Sequence, residues 1–436
     1  MGSSINLAQV GERLTHEDRE FEQKNVADLL HRHQLSFPGA QPVSFARHHI
    51  EELVNRDYFV CEKTDGIRCL LFLTFNMVNG QPAEFQLLID RKNDYYVVPL
   101  DKMHVPKGSP GGPGFELGNF HKRTLLDGEL VVDIDKQGRR KLVYYVFDML
   151  ALDGTSIMDM PLDRRYGRAG ELVVKPYERF MAHPDFKENM ERQAPFFIKL
   201  KKMEAPYGTQ MMFKDILPNL PHGNDGLIFT CVSTPYVSGT DKHILKWKPP
   251  HENTVDFRLV IDSFPKEEYE DGIHEDWDAK PEIHLEVNHA EAGGYQYFAS
   301  LALTDTEWEN IKRKGEQVDG RIIECHRDPI TAHWRPKIEP DGCPRFRDDK
   351  KDANHISVVN SVLESIKDAV SERDLVEAAG RIKVAYKARQ ARKATEAEER
   401  RRRDLAVRQQ QQQQQQHPPR QEQQRVVDED GPHYEE

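Results

Sequence analysis

The chain has 436 residues with a formal charge of −12, too long for one small domain and suited to two domains with tails. A net acidic chain is no general nucleic-acid sponge, so any nucleotide or RNA site must be a local basic groove. The five cysteines (Cys61, Cys69, Cys231, Cys325, Cys343) form no C-x-x-C pair, no apolar run approaches a membrane span and no secretory signal opens the chain, which together read as a soluble intracellular protein without zinc or redox motifs.

Residues 1–40 are polar and read as an extension, helical in part. The start Met1-Gly2-Ser3-Ser4-Ile5-Asn6 fails as a myristoylation signal because Asn6 stands where Ser or Thr is wanted. His31 and His33 read as surface residues, since no acidic or Cys partner follows at metal spacing. From Tyr58 the texture changes. Segments 69–75, 85–90, 124–132 and 142–147 are short, apolar and rich in β-branched and aromatic residues, as expected of strands in an antiparallel or mixed sheet. The Gly- and Pro-rich stretch 106–114 reads as an exposed loop, and 162–174 and 207–217 as helices. Pro249-Pro250 ends this first unit, 41–250, because consecutive prolines favour an extended linker.

A second unit, 251–372, offers strands at 257–261, 283–287, 297–303 and 321–325, a count and spacing that suit a small β-barrel such as an OB-fold. The overall class is therefore α+β. The acidic stretch 267–278 reads as a solvated loop. Ile356, Val359, Leu363, Ile366 and Val370 recur at helical spacing and predict a helix packed on the barrel. In the tail, 373–436, basic residues lead to Arg400–Arg403 and then to an unbroken glutamine run at 409–416. It reads as a frayed basic helix followed by disorder. The arginine run suits a nuclear import signal, an RNA-contacting arm or a plain solvated charge run.

Chemistry concentrates in an ordered set of motifs: Lys63-Thr64-Asp65-Gly66-Ile67-Arg68, Asp127-Gly128-Glu129, Asp225-Gly226-Leu227-Ile228, Lys246-Trp247-Lys248 and Arg347-Asp348-Asp349-Lys350. A lysine amine is protonated at neutral pH, and cations with partial burial are what make it nucleophilic. Strand alternation puts Lys246 and Lys248 on one face and Trp247 on the other. Lysines converging on one pocket are costly unless an anion binds there, and a nucleotide α-phosphate is the natural anion. Against this, Lys-Trp-Lys alone is compatible with an edge strand carrying snorkelled lysines. Asp-Gly pairs are also ordinary turn chemistry. Functionally, Glu129 and Asp225 are placed to accept ribose hydroxyls or to hold Mg²⁺ through water. Phe147, in Tyr145-Val146-Phe147-Asp148, either packs in the core or stacks on a purine. Arg347 and Lys350 suit a phosphate clamp better than a core, with a surface ion-pair cluster as the alternative.

These motifs, with Phe147-Asp148 and Leu245-Lys246-Trp247-Lys248-Pro249-Pro250, resemble those of the covalent nucleotidyltransferases, which comprise mRNA guanylyltransferases (capping enzymes) and ATP-dependent ligases. The threonine after Lys63, the Lys-Trp-Lys-Pro-Pro run and the segment from Arg321 through Trp334 to Asn354 look like the capping branch. The likeness spans about residues 40–370, and the lack of a large domain before Lys63 resembles the fungal, single-activity enzymes. It implies a nucleotidyltransferase domain followed by an OB-fold, with Mg²⁺ or Mn²⁺ as cofactor. Lys63 would attack GTP to give a lysyl-GMP intermediate, and a 5′-diphosphate RNA would then take the GMP to form a cap. It implies Arg68 and Glu129 at the ribose, Phe147 on the guanine, Lys246 and Lys248 on the α-phosphate, and Asp225 aiding metal or lysine. Arg91 and Lys175 match nucleotide contacts, Asp256 matches a metal or water ligand, and Arg347, Asp349 and Lys350 belong to a clamp that closes with the barrel. Implied partners are an RNA 5′-triphosphatase, since no His-Cys-x5-Arg loop is present, and the phosphorylated C-terminal repeat of RNA polymerase II; the implied location is the nucleus. The alternatives are a nick-sealing ligase, for whose DNA-encircling region the chain has no room, and a catalytically dead scaffold, against which the intact lysine and acids argue.

Overall fold

The computed structural model describes residues 6–99, 102–269, 272–289 and 294–416. Two compact units result, Met1–Lys383 and Val384–Glu436. The first contains three larger sheets. Ile67–Val78 lies at the heart of an eight-stranded sheet, between Gln81–Asp90 and Thr124–Ile134. Its run Cys69–Leu73 is apolar throughout because both faces are covered: Cys69, Leu71 and Leu73 pack on one side with Val173 and Tyr177, Leu70 and Phe72 on the other with Val26 and Leu29. All four apolar segments expected before residue 150 are strands, each longer than its apolar core.

Residues 6–40 are integrated rather than appended. Glu12–Arg13 pairs with Tyr95–Val97 at the edge of that sheet. The helix His16–Leu29, capped by the Thr15 side chain accepting from the Asp18 N–H, buries Val26, Ala27 and Leu29. Polarity hid this because only one stripe of the helix is apolar.

A four-stranded sheet follows the order Ala40–Ser44, Gly239–Trp247, Asn224–Cys231, Tyr58–Thr64. One of its faces packs against helix His49–Asn55 and against Val370, Leu375, Ala378 and Ile382. The stripe expected of one helix therefore divides. Helix Ile356–Lys367 lays Ile356, Val359 and Leu363 on the barrel. Val370 lies beyond it, and its carbonyl accepts from Trp247 Nε1 at 2.7 Å.

The third sheet runs Gly294–Ser300, Glu282–His289, Thr254–Ser263, Ile322–Arg327, Trp334–Pro336. Its edges meet where Leu301 bridges Trp334 and the Ala302 N–H donates to the Trp334 carbonyl at 2.9 Å, so the sheet closes as a small barrel. Helix Asp305–Lys314, held by a Thr304/Glu307 capping box, buries Trp308 and Ile311 in that core.

Three local expectations are corrected and one helix, expected at 162–174, is found and extended. Stretch 106–114 is not all loop: Pro106–Gly108 pairs with Phe115–Phe120. The acidic stretch forms an exposed ribbon, Lys266–Tyr269 with Gly272–Glu275. Helix Leu162–Arg168 passes through a π-turn, Ala169–Val174, into Lys175–Ala182, because Pro176 falls in the first turn of the last segment, where no N–H is needed. Finally, the helix Glu372–Gln416 carries the glutamine run, since Arg, Ala, Glu and Gln are all good helix formers. The disorder expected further on falls at 417–436, outside the described residues.

Candidate active site

A cavity of about 600 Å³ is lined by residues of the eight-stranded and four-stranded sheets, of segments that connect their strands and of one loop of the barrel, a size suited to a nucleotide-sized ligand. Its wall contains Lys63, Arg68, Arg91, Glu129, Phe147, Lys246, Lys248 and Lys350. Residues up to 287 positions apart in the chain are thus brought together.

Lys63, near the end of Tyr58–Thr64, donates from Nζ to Asp225 Oδ1 at 2.7 Å; Lys248 Nζ holds Asp225 Oδ2, also at 2.7 Å. Asp225 reaches this point because its strand pairs antiparallel with that of Lys63 through a bulge between Asn224 and Leu227. At the bulge Gly226 has φ 147°, and a Cβ there would lie 2.0 Å from the Trp247 carbonyl oxygen. The Asp-Gly pair is therefore a steric requirement of the site as well as a turn preference. Burial alone would raise the pKa of Asp225, but Lys63 and Lys248 outweigh it and hold the carboxyl below its usual range. Lys246 is pushed below the ordinary lysine range, first by burial and then by Lys248, Lys63 and Arg91. Trp247, between the two lysines, is buried on the opposite face, as alternation requires.

Arg68 is clamped. Its Nε and NH2 donate to the two oxygens of Asp127 at 3.1 and 2.6 Å, and NH1 donates to the Ala40 carbonyl. Asp127 is fully buried and also accepts from Tyr236 Oη. Burial opposes charge on Arg68, yet Asp127 more than compensates and its pKa is raised. Glu129 sits opposite Arg68 in register and accepts the Gly66 N–H at 3.2 Å. Phe147 is the extra residue of a bulge between Val146 and Asp148, which frees its ring to face the cavity, 5.4 Å from the Arg68 guanidinium.

Some expected residues stand elsewhere. Lys175 is half exposed and pairs with Glu171 one turn away on its own helix, outside the cavity wall. Arg347 and Asp349 form a bidentate pair at 2.9 and 2.8 Å. Asp256 is buried and held by Lys350 and Arg347. Of the expected clamp only Lys350 reaches the wall.

Other residues at the site escaped the sequence. Lys201 is buried in the cavity floor, donates to Thr64 Oγ1 and lies 3.4 Å from Glu62. The alternating pattern Ile198-Lys199-Leu200-Lys201 was the available signal. Beneath it His222 lies 2.8 Å from Asp133 and 3.6 Å from Glu62.

Burial lowers the pKa of His222, but Asp133 and Glu62 prevail and raise it above 6.5. A raised folded-state value contributes stability that is full below pH 6.5 and is lost as pH rises through that value. The stability gap between wild type and His222→Gln, measured by urea unfolding, is thus expected to be wider at pH 6 than at pH 9.

The donor set also bears on metal binding. Among the described residues no group of three ligands gathers in the cavity, and Asp225 and Asp256 are both engaged by cations. Such a wall fits Mg²⁺ carried in by phosphates and touched by one carboxylate, not an ion caged by protein alone.

The family model "mRNA capping enzyme, catalytic domain" matches residues 6–250, and "mRNA capping enzyme, C-terminal domain" matches residues 252–376. The chain is 42% identical over 385 residues to the mRNA-capping enzyme subunit alpha of Neurospora crassa, covering 84% of this chain and 90% of that one. To the subunit of the same name in Schizosaccharomyces pombe it is 42% identical over 375 residues, covering 85% and 87%. To that of Saccharomyces cerevisiae it is 38% identical over 392 residues, covering 82% of each. Among solved structures, a mycobacterial DNA ligase D complexed with ATP and MES overlaps 72% of this chain and 95% of that one at 15% identity, with a TM-score of 0.33.

Proposed function

The chain belongs to the mRNA capping enzyme family and is an mRNA guanylyltransferase, and from that premise we propose that Lys63 carries the GMP. The observation that supports this is the convergence of Lys63, Lys246 and Lys248 on one side of a nucleotide-sized cavity, with Asp225 between two of them. Lys63 gives up a proton and its Nζ lone pair forms a bond to the α-phosphorus of GTP. The bridging P–O bond breaks and pyrophosphate leaves with the electron pair. A terminal oxygen of a 5′-diphosphate RNA then attacks the same phosphorus, the P–N bond breaks, and Lys63 regains its proton as the cap is released. Dividing the transfer into two displacements is the advantage of covalent catalysis.

Each neighbour has work to do. Lys246 and Lys248 neutralise charge developing on the α-phosphate. Arg68, held rigid by Asp127, and Glu129 take the ribose hydroxyls. Phe147 and Ile228 flank the base, and Lys201 with Thr64 meets its edge. Guanine offers two acceptors there, O6 and N7, where adenine offers a donor beside its acceptor. An ammonium therefore favours GTP over ATP. Mg²⁺ or Mn²⁺, held by the nucleotide phosphates and Asp225, would help neutralise the leaving pyrophosphate. Lys350, arriving with the barrel, takes the outer phosphates. Lys350→Ala is accordingly expected to slow formation of the protein–GMP adduct by about 10²-fold or more while transfer from preformed adduct to RNA changes little, as single-turnover assays of the two half-reactions would show.

The name subunit alpha, carried by the relatives, implies a partner subunit. For this chain we take that partner to be an RNA 5′-triphosphatase, the docking site to be the phosphorylated repeat of RNA polymerase II, and the compartment to be the nucleus. The test of the central reading is incubation with α-labelled GTP and, separately, α-labelled ATP in the presence of divalent metal, followed by mapping of the labelled peptide. GMP on Lys63 is the expected result; AMP, or another side chain, overturns it.

A further inference from the structure

At and beneath the cavity floor lies a closed set of charges of which the chemistry above uses only Lys201. Glu62 lies 3.4 Å from the Lys201 ammonium and 3.6 Å from His222 Nε2. His222 Nδ1 lies 2.8 Å from Asp133 Oδ1, and Asp133 Oδ2 accepts from Tyr145 Oη at 2.8 Å and lies 3.4 Å from Lys199. Side chains of Glu62, Lys201 and His222 are 7%, 3% and 2% exposed. His222 Nε2 is buried and forms no hydrogen bond. Two buried carboxylates thus face two buried cations only while His222 is charged, Lys199 being half exposed. A carboxylate left to one cation draws that cation closer, because little solvent screens the pair.

We propose that His222 is a positioning residue for nucleotide recognition: it shares the charge of Glu62 and so keeps the Lys201 ammonium directed at Thr64 and the base instead of at Glu62. The proposal rests on the reading that Lys201 meets the guanine edge. A second anchoring role competes with it. The neighbours of His222 hold the loop before Asp225, the Pro221 carbonyl accepting from Ile134 and the Gly223 carbonyl from Asp65. An effect passed along that loop would reach Asp225 and Lys63 and appear in the rate of the chemical step. An effect passed through Glu62 and Lys201 appears in GTP binding. The groups facing His222 are Glu62 on one strand, Asp133 on a second and Tyr145 on a third, the Tyr145 ring 5.1 Å away. Both acids carry charge across the neutral range, so a titration confined there reports His222.

The experiment measures adduct formation against GTP concentration for full-length wild type, His222→Gln and Lys201→Met, from pH 6 to pH 9, alongside thermal melts. His222→Gln is expected to raise KM for GTP about tenfold with the rate at saturation changed less than about twofold. Wild-type KM is expected to climb with pH toward the value of His222→Gln, whose KM stays flat. The wild-type profile needs no variant to fold and stands as an independent check. A raised KM in Lys201→Met with neither a shift in His222→Gln nor a wild-type pH dependence overturns the role of His222. A fall in rate at saturation without a change in KM also overturns it, in favour of the loop. An unaltered KM in Lys201→Met defeats instead the assignment of Lys201 to the base.

Discussion

Lys63→Ala takes no label from α-labelled GTP, a loss of at least about 10⁴-fold, because no other group on the wall can form the covalent bond at the same place. Lys246 is the nearest chemical rival, being the lysine whose charge burial and its neighbours disfavour. It lies on the strand opposite Ile228, and we assign it to the phosphate oxygens. Lys63→Arg makes the comparison sharper. It preserves a cation for Asp225 and removes the nucleophile, so it too takes no label, and a charge-only role for position 63 would predict substantial recovery. Neither variant should lose its fold. The Lys63 side chain is 26% exposed and Asp225 retains Lys248, so the stability cost stays near or below about 1 kcal/mol after solvent screening. Intact-protein mass after incubation with GTP and metal, paired with a thermal melt, decides the matter. A GMP increment on either variant would show that the nucleophile has been misassigned.

What the sequence revealed and what it concealed have separate physical causes. Segments such as 69–75 were legible because a strand covered on both faces must be apolar throughout, and the period-two pattern of Lys246-Trp247-Lys248 survives any fold that keeps it extended. The motif residues were legible as types, since amine, carboxylate and guanidinium chemistry follows from identity. Their partners were not. Asp127 looks like turn chemistry until Arg68 is seen lying against it, and nothing local marks Asp256 as the partner of Lys350 and Arg347. Lys201 shows in the sequence only as part of the alternation Ile198-Lys199-Leu200-Lys201, which it shares with the half-exposed Lys199; its burial is explained by Thr64 and Glu62, brought from 137 and 139 positions away. Val370 misled by extending a helical stripe by one member, although the helix stops at Lys367 and the next apolar residue serves a different core.

The largest stability effect is expected at Arg165, whose side chain is 2% exposed. Its Nε and NH2 donate to the two oxygens of Asp148, both at 2.8 Å, and NH1 reaches the Met160 and Thr234 carbonyls. Burial pushes the pKa of Asp148 up, and Arg165 is the chief opposing influence. Arg165→Met leaves that carboxylate buried without its cation, at a cost of about 3–5 kcal/mol. The double variant Arg165→Met with Asp148→Leu removes both charges, and a buried pair replaced by apolar groups is often neutral, so most of the loss should return. The pH dependence carries a sign. In the single variant the stranded acid has a folded-state value raised above its unfolded one, so its penalty grows as pH rises above the unfolded value and shrinks as pH falls. Urea unfolding should therefore show a smaller deficit at pH 5 than at pH 8 for the single variant and no such trend for the double. Asp148 also closes the bulge that presents Phe147, so the single variant should need more GTP to form its adduct even where it remains folded. Equal stability of wild type and Arg165→Met at pH 8 would mean that Asp148 takes up a proton or finds solvent, and that the bulge does not depend on the pair.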